Sequence, residues 1–289
     1  MTAFRPVVLY RRGMSGEDDL ELPAAIQNFK VYHQRTDIPK NSLCVARYSA
    51  LPFYRELEQD IVNRGGELIN TYGQHRYVAD LQNWYQDLRD MTPETWDDLS
   101  RVPDSAYPLV LKGETNSRKN SWNTCMFAPT RADAVRIMLE LMNDTLIGQQ
   151  KIYFRRYVPL VKYFDGIGGV PISHEFRIFV AYGRVVASGY YWQNYAGDFE
   201  NKVPELDCPN SFLDKAIRLV SPNINFFVMD VAKTQAGEWI VVELNDGQMS
   251  GLSSIDPEIL YRNLNYVVER KLNAEPDGVN HSSTVTSLG

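Results

Sequence analysis

Apolar residues recur along this chain with two periods, two and about 3.6, and each marks a kind of element. Pro6-Val-Val-Leu-Tyr10 and Asn41-Ser-Leu-Cys-Val-Ala-Arg47 are short apolar runs that read as buried strands. Phe53, Leu57 and Ile61 fall four residues apart, which predicts a helix over residues 52–63, stopped by Arg64-Gly-Gly66. Residues 67–71 then resume a strand, so this part reads β-α-β and predicts a small parallel α/β unit. A second helical stretch is expected over 77–88, and Thr92-Pro-Glu-Thr95 fits a turn or a helix start.

From about residue 106 the pattern is richer in strands. Residues 107–112 form an apolar run that ends in Lys112, and residues 113–121 carry no apolar side chain and are expected to form a mobile loop. Thr130 is a candidate N-cap for a helix over 130–142. A strand is expected over 151–160, a loop over 165–169, and two strands over 174–189 around Tyr182-Gly183. Ile259, Leu260, Leu264, Val267 and Val268 predict a last helix over 257–272. From about Asn273 the chain is polar and aperiodic and is expected to be a disordered tail.

The most informative pattern is a hairpin. Phe226-Phe-Val-Met-Asp-Val-Ala232 and Glu238-Trp-Ile-Val-Val-Glu-Leu-Asn-Asp-Gly247 are apolar strands joined by the turn Lys233-Thr-Gln-Ala-Gly237. Strict alternation places Glu243 and Asn245 on one face, together with Trp239 and Val241. The hairpin brings Asp230 near them. Two carboxylates and an amide oxygen on one face suit Mg²⁺, which takes oxygen ligands, water and substrate phosphates. The same residues also fit a plain hairpin with solvated polar ends.

Composition narrows the classes. The 289 residues suffice for one large or two ordinary domains, and 44% hydrophobic with 23% charged residues is ordinary for a globular protein. A formal net charge of -6 argues against broad binding to nucleic acid or acidic membrane. Cys44, Cys125 and Cys208 lack any zinc spacing and cannot all pair, so reduced thiols and a cytoplasmic location are expected. No apolar core follows Arg5, Arg11 and Arg12, and no run approaches the length of a membrane span, so neither a signal peptide nor a spanning helix is expected.

Several cations are placed to do chemistry. Lys112 ends a strand beside the polar loop, where an ammonium reaches nucleotide phosphates or simply meets solvent. Ser117, Arg118 and Lys119 in that loop would fold over a phosphate. Arg177 lies inside an apolar strand and needs an anion, either Glu175 on the same face or a phosphate. Arg155 and Arg156 point to opposite faces, one toward a cleft, with an ion pair between lobes as the plainer role. Gly166, Gly168 and Gly169 do not follow a strand and open a helix, so they are not read as a phosphate loop. The aromatic run Tyr190-Tyr-Trp192 reads as core, with an acceptor pocket as the other reading.

In order, these pieces resemble the ATP-grasp superfamily, and most closely its clade named for an arginine-to-lysine exchange. Arg47-Tyr-Ser-Ala-Leu-Pro-Phe-Tyr54 and Thr92-Pro-Glu-Thr-Trp96 add to the likeness, which covers roughly residues 40–272. The resemblance implies an α/β plus α+β fold. A pre-ATP-grasp α/β domain (1–105) would precede a two-lobed ATP-grasp domain (106–272), with the tail from 273. It implies that Lys112 contacts the α/β phosphates and Arg177 the γ-phosphate of ATP. The hinge at Arg155, Arg156, Tyr157, Val158 and Leu160 would meet adenine, and Asp230, Glu243 and Asn245 would hold Mg²⁺. The reaction implied is ligation of a carboxylate to an amine, of small-molecule or peptide origin, through an acylphosphate. A phosphotransferase and a non-catalytic nucleotide-binding module are the alternatives, and a homodimer stays open. The chain departs from the family in lacking any lysine between Lys40 and Lys112, where Arg76 or Arg89 stands as a substitute. Its hinge also starts with arginines, and Tyr-Tyr-Trp stands where the ribosomal-protein glutamate ligases have an arginine.

Overall fold

A computed structural model describes residues 4–11, 20–115, 117–193 and 203–273. The N-terminal part comprises β1 (Arg5–Tyr10), α1 (Glu21–Asn28), β2 (Lys30–Tyr32), β3 (Ser42–Arg47), α2 (Tyr54–Asn63), β4 (Glu67–Leu68), α3 (Tyr72–Ala79) and α4 (Leu81–Leu88). Its strands form a parallel sheet in the order β2-β1-β3-β4. The apolar runs are continuous because both faces of this sheet are covered. Val7, Leu9, Cys44 and Ala46 pack with Tyr54, Leu57 and Ile61 of α2. Val8, Leu43 and Val45 pack on the opposite side, with α1 and the last helix of the chain.

Two local expectations change. Phe53 is exposed, and Tyr54 takes the core position with Leu57 and Ile61. The spacing is therefore three and four, as a helix face requires, rather than four and four. The stretch 77–88 lies in two helices. Thr71 and Gln74 close a capping box on α3, and Asp80 ends that helix and caps α4 by accepting from the Gln82 N–H. Residues 92–94 belong to neither helix nor strand, and Thr95 begins a strand.

The middle of the chain holds β5 (Thr95–Trp96), β6 (Leu109–Gly113), α5 (Trp122–Cys125), β7 (Phe127–Ala128), α6 (Arg131–Met142) and β8 (Ile152–Arg156). The strands form an antiparallel sheet, β5-β8-β6-β7. Thr130 caps α6 as expected, its hydroxyl accepting from the Asp133 N–H. Ala134, Ile137 and Leu141 of α6 close a core over Leu109, Leu111 and Phe154.

The remainder forms β9 (Lys162–Asp165), β10 (Pro171–Ser173), β11 (Glu175–Ala181), β12 (Arg184–Tyr190), α7 (Asn210–Val220), β13 (Phe226–Lys233), β14 (Trp239–Asp246) and α8 (Pro257–Asn273). β12-β11-β13-β14 is a second antiparallel sheet, and it is central to the molecule. One face packs on α7 and α4 through Ile178, Met229, Ile217 and Trp84. The other packs on α8 and the N-terminal sheet through Phe179, Val228, Leu264 and Val8. α1, β2, α7 and the β9–β10 hairpin carry no expectation from the sequence. The expected tail lies outside the described residues from 274 onward, and Asn273 itself ends α8. No helix among the described residues is long and apolar enough to cross a membrane.

Candidate active site

The β13–β14 hairpin forms as the sequence predicts, with Asp230 directly opposite Glu243. A bulge then intervenes: Asp230 pairs with Glu243, but Val231 pairs with Val241, so Val242 is the extra residue. The bulge reverses the alternation. Trp239, Val241 and Leu244 enter one apolar core. Glu243 and Asn245 thus face away from Trp239 and Val241, which corrects the shared face expected from strict alternation. They line cavities instead.

The pairing continues into β11, where Arg177 stands opposite Asp230. Arg177 donates Nε and Nη2 to the two carboxylate oxygens of Asp230, each at 2.9 Å, and Nη1 to the Gly251 carbonyl at 2.8 Å. Its anion is therefore Asp230 and not Glu175. From the other sheet, Lys112 at the end of β6 reaches Glu243 and ion-pairs with it. The result is a row of charges, Arg177, Asp230, Glu243, Lys112, with two adjacent carboxylates neutralised from both sides. Burial alone would push Glu243 up, but Lys112, Lys119 and Arg177 outweigh it and hold the carboxylate at about 2. Burial pulls Lys112 below the usual lysine value even with Glu243 beside it.

The two sheets enclose a cavity of about 130 Å³, mostly apolar, with Val110, Met126, Tyr157, Val158, Leu160 and Val242 in its wall. Arg155 and Arg156 also border it and do point opposite ways. Arg155 is the buried one: Nη1 donates to the Val242 carbonyl at 2.6 Å and Nη2 to Thr92 Oγ1 at 2.8 Å. Burial lowers its guanidinium to about 10. Arg156 pairs with Glu94 at 2.9 Å on the outer side. Past β8 the chain crosses to the second sheet, where Leu160 bridges Thr234 and the Val161 N–H donates to the Lys233 carbonyl at 2.8 Å. Residues 156–160 thus span the two sheets, as a hinge must. Neither cavity wall includes Arg76 or Arg89. Arg76 pairs with Glu114 at 2.8 Å, and Arg155 is the buried arginine at this cavity.

Beyond Glu243 lies a second, polar cavity of about 480 Å³, whose wall includes Lys119, Arg177, Tyr191, Asn245 and Gly251. Ser117, Lys119 and Glu243 border both cavities. Arg118 also borders the polar cavity, with its guanidinium paired to Asp144. The sequence reading missed what seats this loop. Residues 119–121 rest on the turn at 167–169, where Gly168 has φ 66° and a Cβ would come 2.1 Å from the Asn120 carbonyl oxygen. A Cβ on Gly169 would strike Asn123. Gly168 and Gly169 seat the loop, whereas Gly166 packs against Ile172 and Val170. The aromatic run divides: Tyr190 and Trp192 are core, and Tyr191 faces the polar cavity.

Glu175 also borders the first cavity, accepting from Trp192 Nε1 at 3.0 Å and Ser173 Oγ at 3.2 Å. Burial raises its carboxyl to about 7, Lys119 opposing and Asp230 and Glu243 adding to the rise. A buried network in the N-terminal part was likewise unread. Asp246 meets His75 at 3.2 Å and Asn70 at 2.9 Å, and Arg47 holds the Gly247 and Ser250 carbonyls and Glu21. These contacts fix residues 246–251, the segment that walls the polar cavity.

Among the described residues no three His, Cys, Asp or Glu side chains group as a metal site. The donors expected for Mg²⁺ are instead two carboxylates and an amide. Asp230 and Glu243 lie side by side in the ladder, and Asn245 borders the same cavity as Glu243. Two carboxylates and an amide are hard oxygen donors of the type Mg²⁺ takes.

Comparison with known proteins identifies the family and the fold. The model of the ATP-grasp domain, family 3 of the clade named for an arginine-to-lysine exchange, matches residues 100–264, and the chain belongs to that family. It has the ATP-grasp fold, an α/β N-terminal part ahead of two α+β lobes. Solved structures of similar fold include a RimK domain protein ATP-grasp from Sphaerobacter thermophilus DSM 20745, at 14% identity, TM-score 0.58, over 91% of this chain and 98% of that one. The ATP-grasp ligase PsnB, complexed with minimal precursor, Mg and ADP, matches at 11% identity, TM-score 0.57, over 93% and 98%. The D-alanine–D-alanine ligase from Bacillus anthracis, complexed with ATP, matches at 13% identity, TM-score 0.57, over 94% and 99%. No curated protein sequence matches the chain.

Proposed function

We propose that this protein is an ATP- and Mg²⁺-dependent ligase that joins a carboxylate to an amine through an acylphosphate, releasing ADP and phosphate. The observation that carries the reading is the pair of cavities that meet at Glu243, one apolar and bordered by the hinge, one polar and bordered by cations. This is the division that a nucleotide base and its phosphates require. Family membership and the solved ligases of the same fold support it. In this reading residues 1–105 are the pre-ATP-grasp domain and 106–272 the ATP-grasp domain.

Adenine takes the apolar cavity, against Tyr157, Val158 and Leu160, with Arg155 and Arg156 at its border. Lys112 contacts the α/β phosphates and Arg177 the γ-phosphate, so both act in the chemistry by neutralising charge on the transferring group. Asp230, Glu243 and Asn245 hold Mg²⁺, which when bound adds charge neutralisation at the phosphates. A carboxylate oxygen of the acid attacks the γ-phosphorus and ADP leaves. The amine nitrogen then attacks the acyl carbon, losing a proton as phosphate leaves. The polar cavity is where acid and amine meet, and the loop at 117–121 keeps water from the acylphosphate. Small molecules or a peptide serve as acid and amine. The free cysteines support a cytoplasmic location.

The test is ATP consumption with Mg²⁺ across pools of acids, amines and peptides, with ADP, AMP and phosphate measured separately. Release of ADP and phosphate that needs both an acid and an amine is expected. ADP without free phosphate, from one substrate, would identify a phosphotransferase instead.

A further inference from the structure

Tyr191 stands where two cations of the polar cavity meet. Lys119 Nζ donates to its phenol oxygen and lies 4.3 Å from the ring centroid. Arg177 lies over the same ring at 4.8 Å. Tyr191 borders the polar cavity and not the apolar one. Its position is set from the core: it follows β12 directly, its N–H donates to the Glu175 carbonyl at 2.9 Å, and its ring packs edge-on against buried Trp192 at 4.9 Å. A lysine on a loop has much rotamer freedom to lose when it is fixed. The loop that carries Lys119 is seated by Gly168 and Gly169, but that seat fixes backbone and not the ammonium.

We propose that Tyr191 is a positioning residue for the far end of the triphosphate: its hydroxyl holds the Lys119 ammonium, and its ring the Arg177 guanidinium, at the polar cavity. The proposal rests on the nucleotide reading of the site. Base and near phosphates lie on the apolar side of Glu243 and Lys112, so the terminal phosphate is the one that reaches Tyr191. Acting through two cations, Tyr191 favours ATP over ADP without touching the base. The ring attraction is electrostatic and survives loss of the hydroxyl, whereas the hydrogen bond does not.

The test is calorimetric titration of the full chain with ATP and with ADP, each with Mg²⁺, for the wild type, Tyr191→Phe and Tyr191→Leu. Melting curves confirm that each variant is folded. Tyr191→Phe keeps the ring and should weaken ATP about tenfold, the low end for a hydrogen bond to a charged group, with ADP changed less than about threefold. Tyr191→Leu should weaken ATP further. Lys119→Met should weaken ATP in the wild type but add little in Tyr191→Phe, since the two residues act as a unit. Equal losses for ATP and ADP, or additive effects of Lys119→Met and Tyr191→Phe, would overturn the positioning role. A wild-type chain that binds ADP and ATP equally well overturns it too. A wild type that binds neither nucleotide overturns the reading of the site, and the proposal with it.

Discussion

Glu243 is the residue on which both cavities and both sheets converge. Its carboxylate stays ionised because Lys112, Lys119 and Arg177 outweigh its burial. Glu243→Ala removes a proposed metal ligand and also leaves Lys112 buried without its anion. Mg²⁺-dependent ATP turnover should vanish; turnover equal to that of the wild type would remove Glu243 from the metal site. Lys112→Ala should weaken ATP by about 1–3 kcal/mol, the scale of one charge-assisted contact, read by titration. It should also let Mg²⁺ bind without nucleotide, because Lys112 competes for Glu243 in the wild type. Glu175 makes a different prediction. Its carboxyl is raised from 4.5 to about 7, so folding favours its protonated form. Its stabilising share is complete below about pH 4.5 and is lost as pH rises through 7. Across that window it amounts to about 3 kcal/mol as an upper order of magnitude. Glu175→Gln cannot ionise. Urea melts at pH 5 and pH 8 should therefore show the wild type losing stability relative to the variant; parallel behaviour would mean that Glu175 titrates normally.

At the scale of elements, the hairpin was legible because period two is a local signal, and Asp230, Glu243 and Asn245 stand out against apolar neighbours. The bulge at Val242 was harder to see, although it left a trace. Trp239 and Val241 share their sequence parity with Glu243 and Asn245, and one strand face rarely turns from core to polar cavity without a change of register. The Lys112–Glu243 pair was not legible at all. It joins strands of different sheets, and no periodicity reports contacts between sheets. The same holds for the glycine turn, whose partner lies some 48 residues earlier along the chain, between Gly168 and Asn120. Gly168→Ala tests that seat. The φ of 66° costs an alanine about 1–2 kcal/mol, and its Cβ would strike the Asn120 carbonyl. The loop must shift, so Lys119 leaves the cavity. ATP affinity should fall while far-UV circular dichroism is unchanged; full affinity would show that the loop finds its place without the seat.

At the scale of the whole molecule, the boundary proposed near residue 105 does not separate two hydrophobic cores. Val8, Leu43 and Val45 of the N-terminal sheet share one core with Phe179, Val228, Leu260 and Leu264. Polar contacts cross the same boundary. Arg47 reaches the Gly247 and Ser250 carbonyls, and Asn70 donates to the Phe226 carbonyl at 2.6 Å and accepts from the Phe226 N–H at 2.9 Å. A chain cut to residues 100–289 would therefore bare an apolar face on the central sheet and α8 and leave Asp246 without its buried partners Asn70, His75 and Tyr54. It should aggregate or melt without a cooperative transition, whereas the full chain should melt in one step. Calorimetry of both decides the matter. A cooperative transition in the cut chain would mean that residues 100–289 fold alone. The milder Arg47→Met tests the same coupling inside the full chain. It leaves the Glu21 carboxylate, the partner of Arg47 at 2.6 Å, with the Tyr261 hydroxyl at 2.8 Å but no counter-charge in a largely buried site, and should cost about 3 kcal/mol. Residues 246–251 would lose their anchor along with that stability, and ATP turnover should then fall by more than ATP binding does. That split is the one expected if residues 246–251 shape the part of the polar cavity that takes the acid and amine more than the part that takes the terminal phosphate.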